Sequence, residues 1–71
     1  MRRAGLPNRG ADILAQARAN QGLSQAAVAR RINVTREAVH HWESGRSLPR
    51  PHHALALERL LGVPMRAWAE R

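Results

Sequence analysis

The fold is decided by the stretch LSQAAVARRINVTREAVHHWESGRSL, which covers residues 23–48. Ser24 and Thr35 each precede a run of helix-forming residues, where a hydroxyl oxygen can accept from free backbone N–H groups. The asparagine between the two runs tolerates the left-handed backbone conformation that ends a helix. The pattern therefore predicts two short helices, over residues 25–32 and 36–44, that are joined by a tight turn.

The second of these helices has two faces of different character. At about 100° per residue, Val39 and Trp42 fall on one side together with Ala38, which is the pattern of a core face. The opposite side is polar and contributes nothing to a core. Its members are Arg36, Glu37, His40, His41 and Ser44. Helix geometry alone leaves two interpretations open, a solvated face with a Glu37–His41 contact or a surface that reads the edges of nucleic-acid bases.

Apolar spacing predicts three further helices, over residues 11–21, over residues 51–61 and over a short segment that begins at Pro64. No strand pattern is present. Leu48 is expected to anchor the loop between the third and fourth helices in the core. Trp68 near the end of the chain either closes the core or contributes to a dimer contact, and core closure is favoured.

Residues 1–10 are expected to form a flexible basic N-terminal arm, because their glycines and proline disfavour regular structure. The arginines of this arm are either solvated or placed to reach a phosphate. Residues 11–71 are expected to form a single domain, in keeping with a chain of 71 residues.

Charge is the most informative feature of the composition. Twelve basic residues, all of them arginine, stand against five acidic residues and give a net charge of +7. Codon bias toward GC is one interpretation of the absence of lysine, but it does not explain the excess of base over acid. A small and strongly basic domain indicates a polyanion as its partner.

Several classes of function are disfavoured by the composition. The chain has no cysteine, so disulfides and thiolate metal sites are excluded. His40–His41 and His52–His53 are adjacent pairs, and neighbours on a helix point about 100° apart, which disfavours a shared metal ion. No nucleophile stands beside a plausible base, so the chain is not expected to be an enzyme or to bind a cofactor. The absence of an apolar run of about 20 residues and of a signal-peptide pattern indicates a cytoplasmic protein.

The stretch GLSQAAVARRINVTREAVHHWESGRSLP resembles the phage repressor/Cro-type helix-turn-helix family, also called the XRE family. The resemblance extends over residues 11–68 and implies an all-α, lambda repressor-like bundle of five helices with a central helix-turn-helix. Two positions depart from the family pattern. Asn33 stands where the turn often has glycine, and Arg50 replaces the serine or threonine that often caps the fourth helix.

The resemblance also implies roles for matching residues. The positions that read bases are Arg36, Glu37, His40 and His41. The positions that contact the DNA backbone are Ser24, Gln25, Thr35 and Arg46, and Arg50 adds a cation near the DNA. Gln25 is also expected to support the recognition helix. Arg18 and Glu43 match an ion pair that joins the first and third helices and is structural.

The expected function is that of a sequence-specific, double-stranded DNA-binding transcription regulator, encoded by a prokaryote or a phage. It is expected to act as a homodimeric repressor on a near-palindromic operator, with helix 36–44 in the major groove. An antitoxin that also binds a toxin protein is the alternative, and a restriction–modification controller is a further possibility. RNA is disfavoured as a partner because no aromatic platform is present.

Overall fold

The computed structural model describes residues 8–69. This part of the chain contains four α-helices, one 3-10 helix and no β-strand. The all-α prediction is thus confirmed for the described residues. The helices are α1 (Arg9–Asn20), α2 (Gln25–Ile32), α3 (Arg36–Glu43) and α4 (Pro51–Leu61), followed by the 3-10 helix Met65–Ala69.

The ends of α2 and α3 follow from their capping residues. The Ser24 hydroxyl accepts from the Ala27 N–H at 3.0 Å, and the Thr35 hydroxyl accepts from the Ala38 N–H at 3.1 Å. Asn33 ends α2 in the left-handed conformation, with φ of 62°. The turn that joins the two helices therefore has the caps and the αL residue that the sequence predicted.

The end of α3 lies one residue earlier than predicted. Ser44 is the C-cap of the helix rather than its last residue. Gly45 then adopts a φ of +77°, which turns the chain back so that the Arg46 N–H donates to the His41 carbonyl oxygen at 2.9 Å.

The start of α1 lies two residues before the predicted one. The Asn8 side chain accepts from the Ala11 N–H at 2.8 Å and caps a helix that begins at Arg9. Gly10 lies inside this helix, and a Cβ at this position would come within 2.3 Å of Trp68 Cε3, so the close packing of the indole requires a glycine here. Residues 8–10 of the predicted arm are therefore part of the folded domain, and residues 1–7 lie outside the described part.

The predicted fifth helix is a 3-10 helix rather than an α-helix. It has only five residues and follows Pro64, and the Ala67 N–H donates to the Pro64 carbonyl at 3.0 Å, which is the i to i+3 pattern. A segment this short completes few of the i to i+4 bonds that stabilise an α-helix.

The core contains residues from all four α-helices and from the C-terminal segment. Trp42 and Trp68 are both buried in it, so closure of the core is the role the structure gives Trp68. Leu48 is 50% exposed, and the prediction that it anchors its loop is wrong. The fully buried Val63 and the indole of Trp68 fill the core from the C-terminal side, and Leu48 lies outside it. None of the helices in the described part has both the length and the apolar character of a membrane-spanning segment.

Candidate nucleic-acid interface

The two faces of α3 are separated in the structure as the helical wheel predicted. Val39 is fully buried and Trp42 is 5% exposed, so this side of the helix is fixed in the core. The other side is open to solvent at Arg36, Glu37 and His40. A strip of three hydrogen-bonding side chains is thereby presented by a helix that cannot rotate without exposing a tryptophan.

Arg36 and Glu37 lie next to each other at the start of this strip. Arg36 Nη2 is 3.7 Å from Glu37 Oε2, and the side chains are 57% and 68% exposed. An ion pair that is this long and this exposed contributes about 0–1 kcal/mol. Either side chain can therefore give up this weak contact and form a stronger hydrogen bond with another molecule.

His41 lies at the edge of the strip rather than within it. Its ring is half-buried, whereas the ring of His40 is exposed. The ring centroids of these two histidines are 6.0 Å apart. The His41 carbonyl also accepts from the Ser44 hydroxyl at 3.2 Å, in addition to the Arg46 N–H. Of the four residues expected to read bases, His41 is the one whose position is most constrained by the fold.

A polar cluster made of Arg18, Gln25 and Glu43 supports the C-terminal end of α3. Arg18 Nε donates to Glu43 Oε2 at 2.7 Å and Arg18 Nη2 donates to Oε1 at 3.1 Å, which gives a bidentate pair. The Gln25 side chain donates to the same Oε1 at 3.0 Å. One carboxylate on α3 is thus bound by both α1 and α2.

This cluster is largely withdrawn from water. The Glu43 side chain is 9% exposed and that of Arg18 is 21% exposed. The hydrogen bond to Glu43 raises the pKa of Arg18, burial opposes the rise, and the negative charge of Glu43 adds to it. The remaining Arg18 Nη1 donates to the Leu23 carbonyl at 2.8 Å, so the guanidinium also fixes the segment between α1 and α2.

The residues expected to contact a DNA backbone fall into two groups. Ser24 and Thr35 are exposed, and each hydroxyl that caps a helix keeps its own hydrogen for donation. Arg46 and Arg50 are exposed on the loop between α3 and α4 and form no ion pair within residues 8–69. Gln25 differs from the other four because its amide group is half-buried and already donates to Glu43.

Comparison with known families and structures identifies this arrangement. The model of the helix-turn-helix family matches residues 14–68, which is most of the chain. The chain belongs to the XRE-type helix-turn-helix family. Among solved structures it is similar to the restriction-modification controller protein C.AhdI from Aeromonas hydrophila, with a TM-score of 0.73 and 25% identity over 84% of this chain and 91% of that one. No curated protein matches the chain.

Membership of the XRE-type family confirms the resemblance on which the residue roles were based. The family is one of DNA-binding transcription regulators. The departure at Arg50 has a visible consequence in this member, because α4 begins without a side-chain cap and has Pro51 in its first turn. The departure at Asn33 has none, since Asn33 adopts the αL conformation itself.

Two adjacent histidines lie at the start of α4, and the second is close to Trp42 of α3. The ring centroids of His52 and His53 are 4.0 Å apart, and the His53 ring lies 5.7 Å from that of Trp42. Burial lowers the pKa of His53, and the positive charges of His52 and Arg50 lower it further. The described residues contain no group of three side chains suited to hold a metal ion.

Proposed function

We propose that this chain regulates transcription by binding a specific double-stranded DNA sequence with α3 in the major groove. The observation that carries the proposal is the division of α3 into a buried face and a polar face. Val39 and Trp42 fix the helix in the core, and Arg36, Glu37 and His40 face solvent. Eight residues at a rise of about 1.5 Å give a helix about 12 Å long, which is comparable with the width of the major groove.

The exposed side chains of α3 offer the donors and acceptors that distinguish base pairs. The Arg36 fork matches guanine O6 and N7, and Glu37 can accept from the amino group of a cytosine. His40 and His41 can donate to N7 or O6, with His41 reaching from the edge of the strip. These four residues are proposed as the base-reading set.

The backbone contacts are proposed for five residues, of which Gln25 alone already donates to another side chain. Arg46 and Arg50 form no ion pair with any other residue in the range 8–69, and they contribute to the net charge of +7 of the chain. The other three stand at the N-terminal ends of α2 and α3, where the positive end of the helix dipole favours a phosphate. They are Ser24, Gln25 and Thr35.

The regulator is proposed to act as a homodimer on a near-palindromic site. One short helix reads few base pairs, and two copies about 34 Å apart double the number of contacts on one face of the duplex. Binding over a promoter would give repression. A second candidate role is control of restriction–modification genes, which the similarity to C.AhdI favours.

Selection of bound sequences from random DNA tests the proposal. We expect two related half-sites, whose spacing reports the dimer, and an affinity that falls steeply with salt because phosphate contacts release counterions. A plot of log affinity against log salt concentration with a slope near zero would overturn DNA binding. A single half-site without symmetry, together with a 1:1 complex in sedimentation, would overturn the dimer.

A further inference from the structure

The fourth helix has apolar side chains on two opposite faces. Ala54, Leu57 and Leu61 are buried in the core. A second set recurs at i, i+3, i+4, i+7 and i+8 and therefore shares the opposite face of the helix. The apolar members of this set are Leu55, Ala56 and Leu60, and its polar members are His52 and Arg59. Leu60 packs against the edge of the core, whereas Leu55 and Ala56 lie outside the core cluster, so part of this second face is left for contacts beyond the core.

This second face forms one wall of a groove, and the end of α2 forms the other. Arg31 and Ile32 line the groove from α2, and its volume is about 390 Å³. The groove is largely open to solvent rather than enclosed. The apolar side chains in it, which include Ile32, Leu55 and Leu60, are half-buried, so a substantial part of their surface remains in contact with water.

The rim of the groove is cationic. Arg31, Arg59 and His52 are exposed around the apolar floor. Neither arginine forms an ion pair within residues 8–69. The groove therefore combines an apolar floor with positive charge that nothing in the described chain neutralises.

We propose that this groove, formed by α2 and α4, binds an acidic amphipathic helix from a partner protein. Apolar side chains at i, i+3 or i+4 and i+7 of the partner would cover the floor, and flanking carboxylates would pair with Arg31 and Arg59. An arginine fork binds a carboxylate with two parallel hydrogen bonds, which gives the rim specificity for acid.

Three other occupants fit the groove less well. Nucleic acid offers phosphates for the arginines but no apolar side chains for the floor. A small molecule is usually bound in a pocket that buries most of its surface, and this groove is too open for that. A second copy that docked groove to groove across a two-fold axis would bring the arginines of the two rims together.

The groove is separate from the surface proposed to read DNA. No residue of α3 lines it. The partner helix would therefore not compete with DNA for the side chains of α3, and the inference does not depend on which DNA sequence is read.

Synthetic peptides of about 15 residues, near the minimum length for a free helix, test this inference. The first has leucines on one face and glutamates beside them. The second has the same composition in an order that places its leucines on all sides, and the third has lysine for glutamate. Fluorescence anisotropy at physiological salt should detect binding of the first peptide only. When this peptide is added, the changes in the protein's amide NMR shifts should concentrate at Ile32, Leu55 and Leu60.

Charge reversal provides the matched variants. Arg31→Glu and Arg59→Glu should each weaken the first peptide by about tenfold, as expected for loss of one charged hydrogen-bonded contact. Arg30→Glu is the control, because Arg30 is exposed on the same helix but does not line the groove. Circular dichroism of each variant establishes that it is folded.

Four results with the peptides would overturn the inference. The reordered peptide binds as tightly as the first, or the lysine peptide binds. Alternatively, Arg30→Glu weakens the first peptide as much as the groove variants do, or the NMR shifts concentrate on α3. A fifth is a dimer of the unbound protein that a folded Leu60→Glu variant converts to a monomer, because that result would assign the groove to a second copy.

Discussion

The two ends of α1 are held in place by different physical means. At its C-terminal end, Arg18 binds the buried Glu43 carboxylate through two hydrogen bonds of 2.7 and 3.1 Å. At its N-terminal end, Gly10 lies so close to the indole of Trp68 that a single added carbon would be 2.3 Å from it. The first end is joined to another helix by directed polar contacts, whereas the second, beyond its local Asn8 cap, is joined to the C-terminal segment by close packing.

The difference shows how stability and function are divided in this domain. The polar end connects α1 to α3, and so it sets the position of the helix proposed to read DNA. The packed end connects α1 to the 3-10 helix, which closes the core and is distant in sequence from α3. We therefore expect damage at the polar end to affect both folding and DNA binding, and damage at the packed end to affect folding first.

The largest effect is expected at the packed end, from Trp68→Ala. Trp68 is 7% exposed and belongs to the main core cluster, so its truncation should lower the free energy of unfolding by about 3–5 kcal/mol. Urea denaturation followed by circular dichroism measures this loss. Trp68→Phe is the control, because it keeps an aromatic ring and removes a buried indole N–H that has no hydrogen-bond partner among residues 8–69. Equal losses in both variants would show that ring packing is not the cause.

At the polar end, Glu43→Ala should lower the free energy of unfolding by about 3 kcal/mol, because it leaves the charge of Arg18 without a partner in a partly buried position. The 21% exposure of Arg18 keeps some hydration and places the value at the low end of the usual range. Denaturation gives the stability and a gel-shift titration gives the DNA affinity, which should also fall. Glu37→Ala is the control for stability, since this carboxylate is on the same helix but 68% exposed. If the Glu43→Ala variant were folded and as stable as the natural protein, the polar contacts would not be what holds the C-terminal end of α1.

Gly10→Ala tests the close approach at the packed end directly. The added methyl group should lower the free energy of unfolding by about 1–3 kcal/mol, the usual range for overpacking. The double variant Gly10→Ala with Trp68→Leu should lose less than the sum of the two single variants, because a smaller side chain leaves room for the methyl group. Additive losses would mean that the two sites do not interact.

Arg36→Ala should separate DNA reading from folding. The side chain is 57% exposed, so stability should change by less than about 0.5 kcal/mol. Binding to a selected site should weaken by about 1–3 kcal/mol, with specificity relaxed at one base pair in each half-site. A uniform loss over all sequences would instead identify Arg36 as a phosphate contact.

The smallest effect is expected from pH. The pKa of His53 is lowered from its ordinary 6.5 by burial and by the charges of His52 and Arg50. The folded state therefore binds this proton less readily than the unfolded state. Its contribution to stability is complete above about pH 6.5, declines as the pH falls from there to the lowered pKa, and is constant below it. Urea midpoints at pH 7.5 and pH 5.5 should differ more in the natural protein than in His53→Gln, and an equal difference would contradict the assignment.

Much of the fold could be predicted from the sequence, because interactions between residues close in the chain specify it. The caps at Ser24 and Thr35, the αL residue Asn33 and the apolar side of α3 each act within a few residues of the chain. The Arg18–Glu43 pair lay beyond local rules, since 25 residues separate its members, and it was anticipated through family resemblance alone. The bounds of α2 and α4 were predicted to the residue, whereas the end of α3 and both ends of α1 were not.

Two errors have a common cause. Gly10 was predicted to lie in an arm without regular structure, and Leu48 was predicted to be buried in the core. Both interpretations follow average behaviour. Gly10 instead lies in a helix at a point where the Trp68 indole leaves no room for a Cβ, and Leu48 is exposed while Val63 and Trp68 fill the core. Side-chain volume and the position of a distant segment decide such cases, and neither can be derived from neighbouring residues.

The sequence by itself determined the helix-turn-helix, the polar face of α3 and the net charge of +7. These depend on capping, on a period of about 3.6 residues and on composition, which act along the chain or need no geometry at all. Only the tertiary structure decided that Gln25 donates to Glu43, that His41 lies at the edge of the strip, and that α4 and α2 form a groove with a cationic rim. Each of these depends on the distance between helices, and that distance is set when the whole core packs at once.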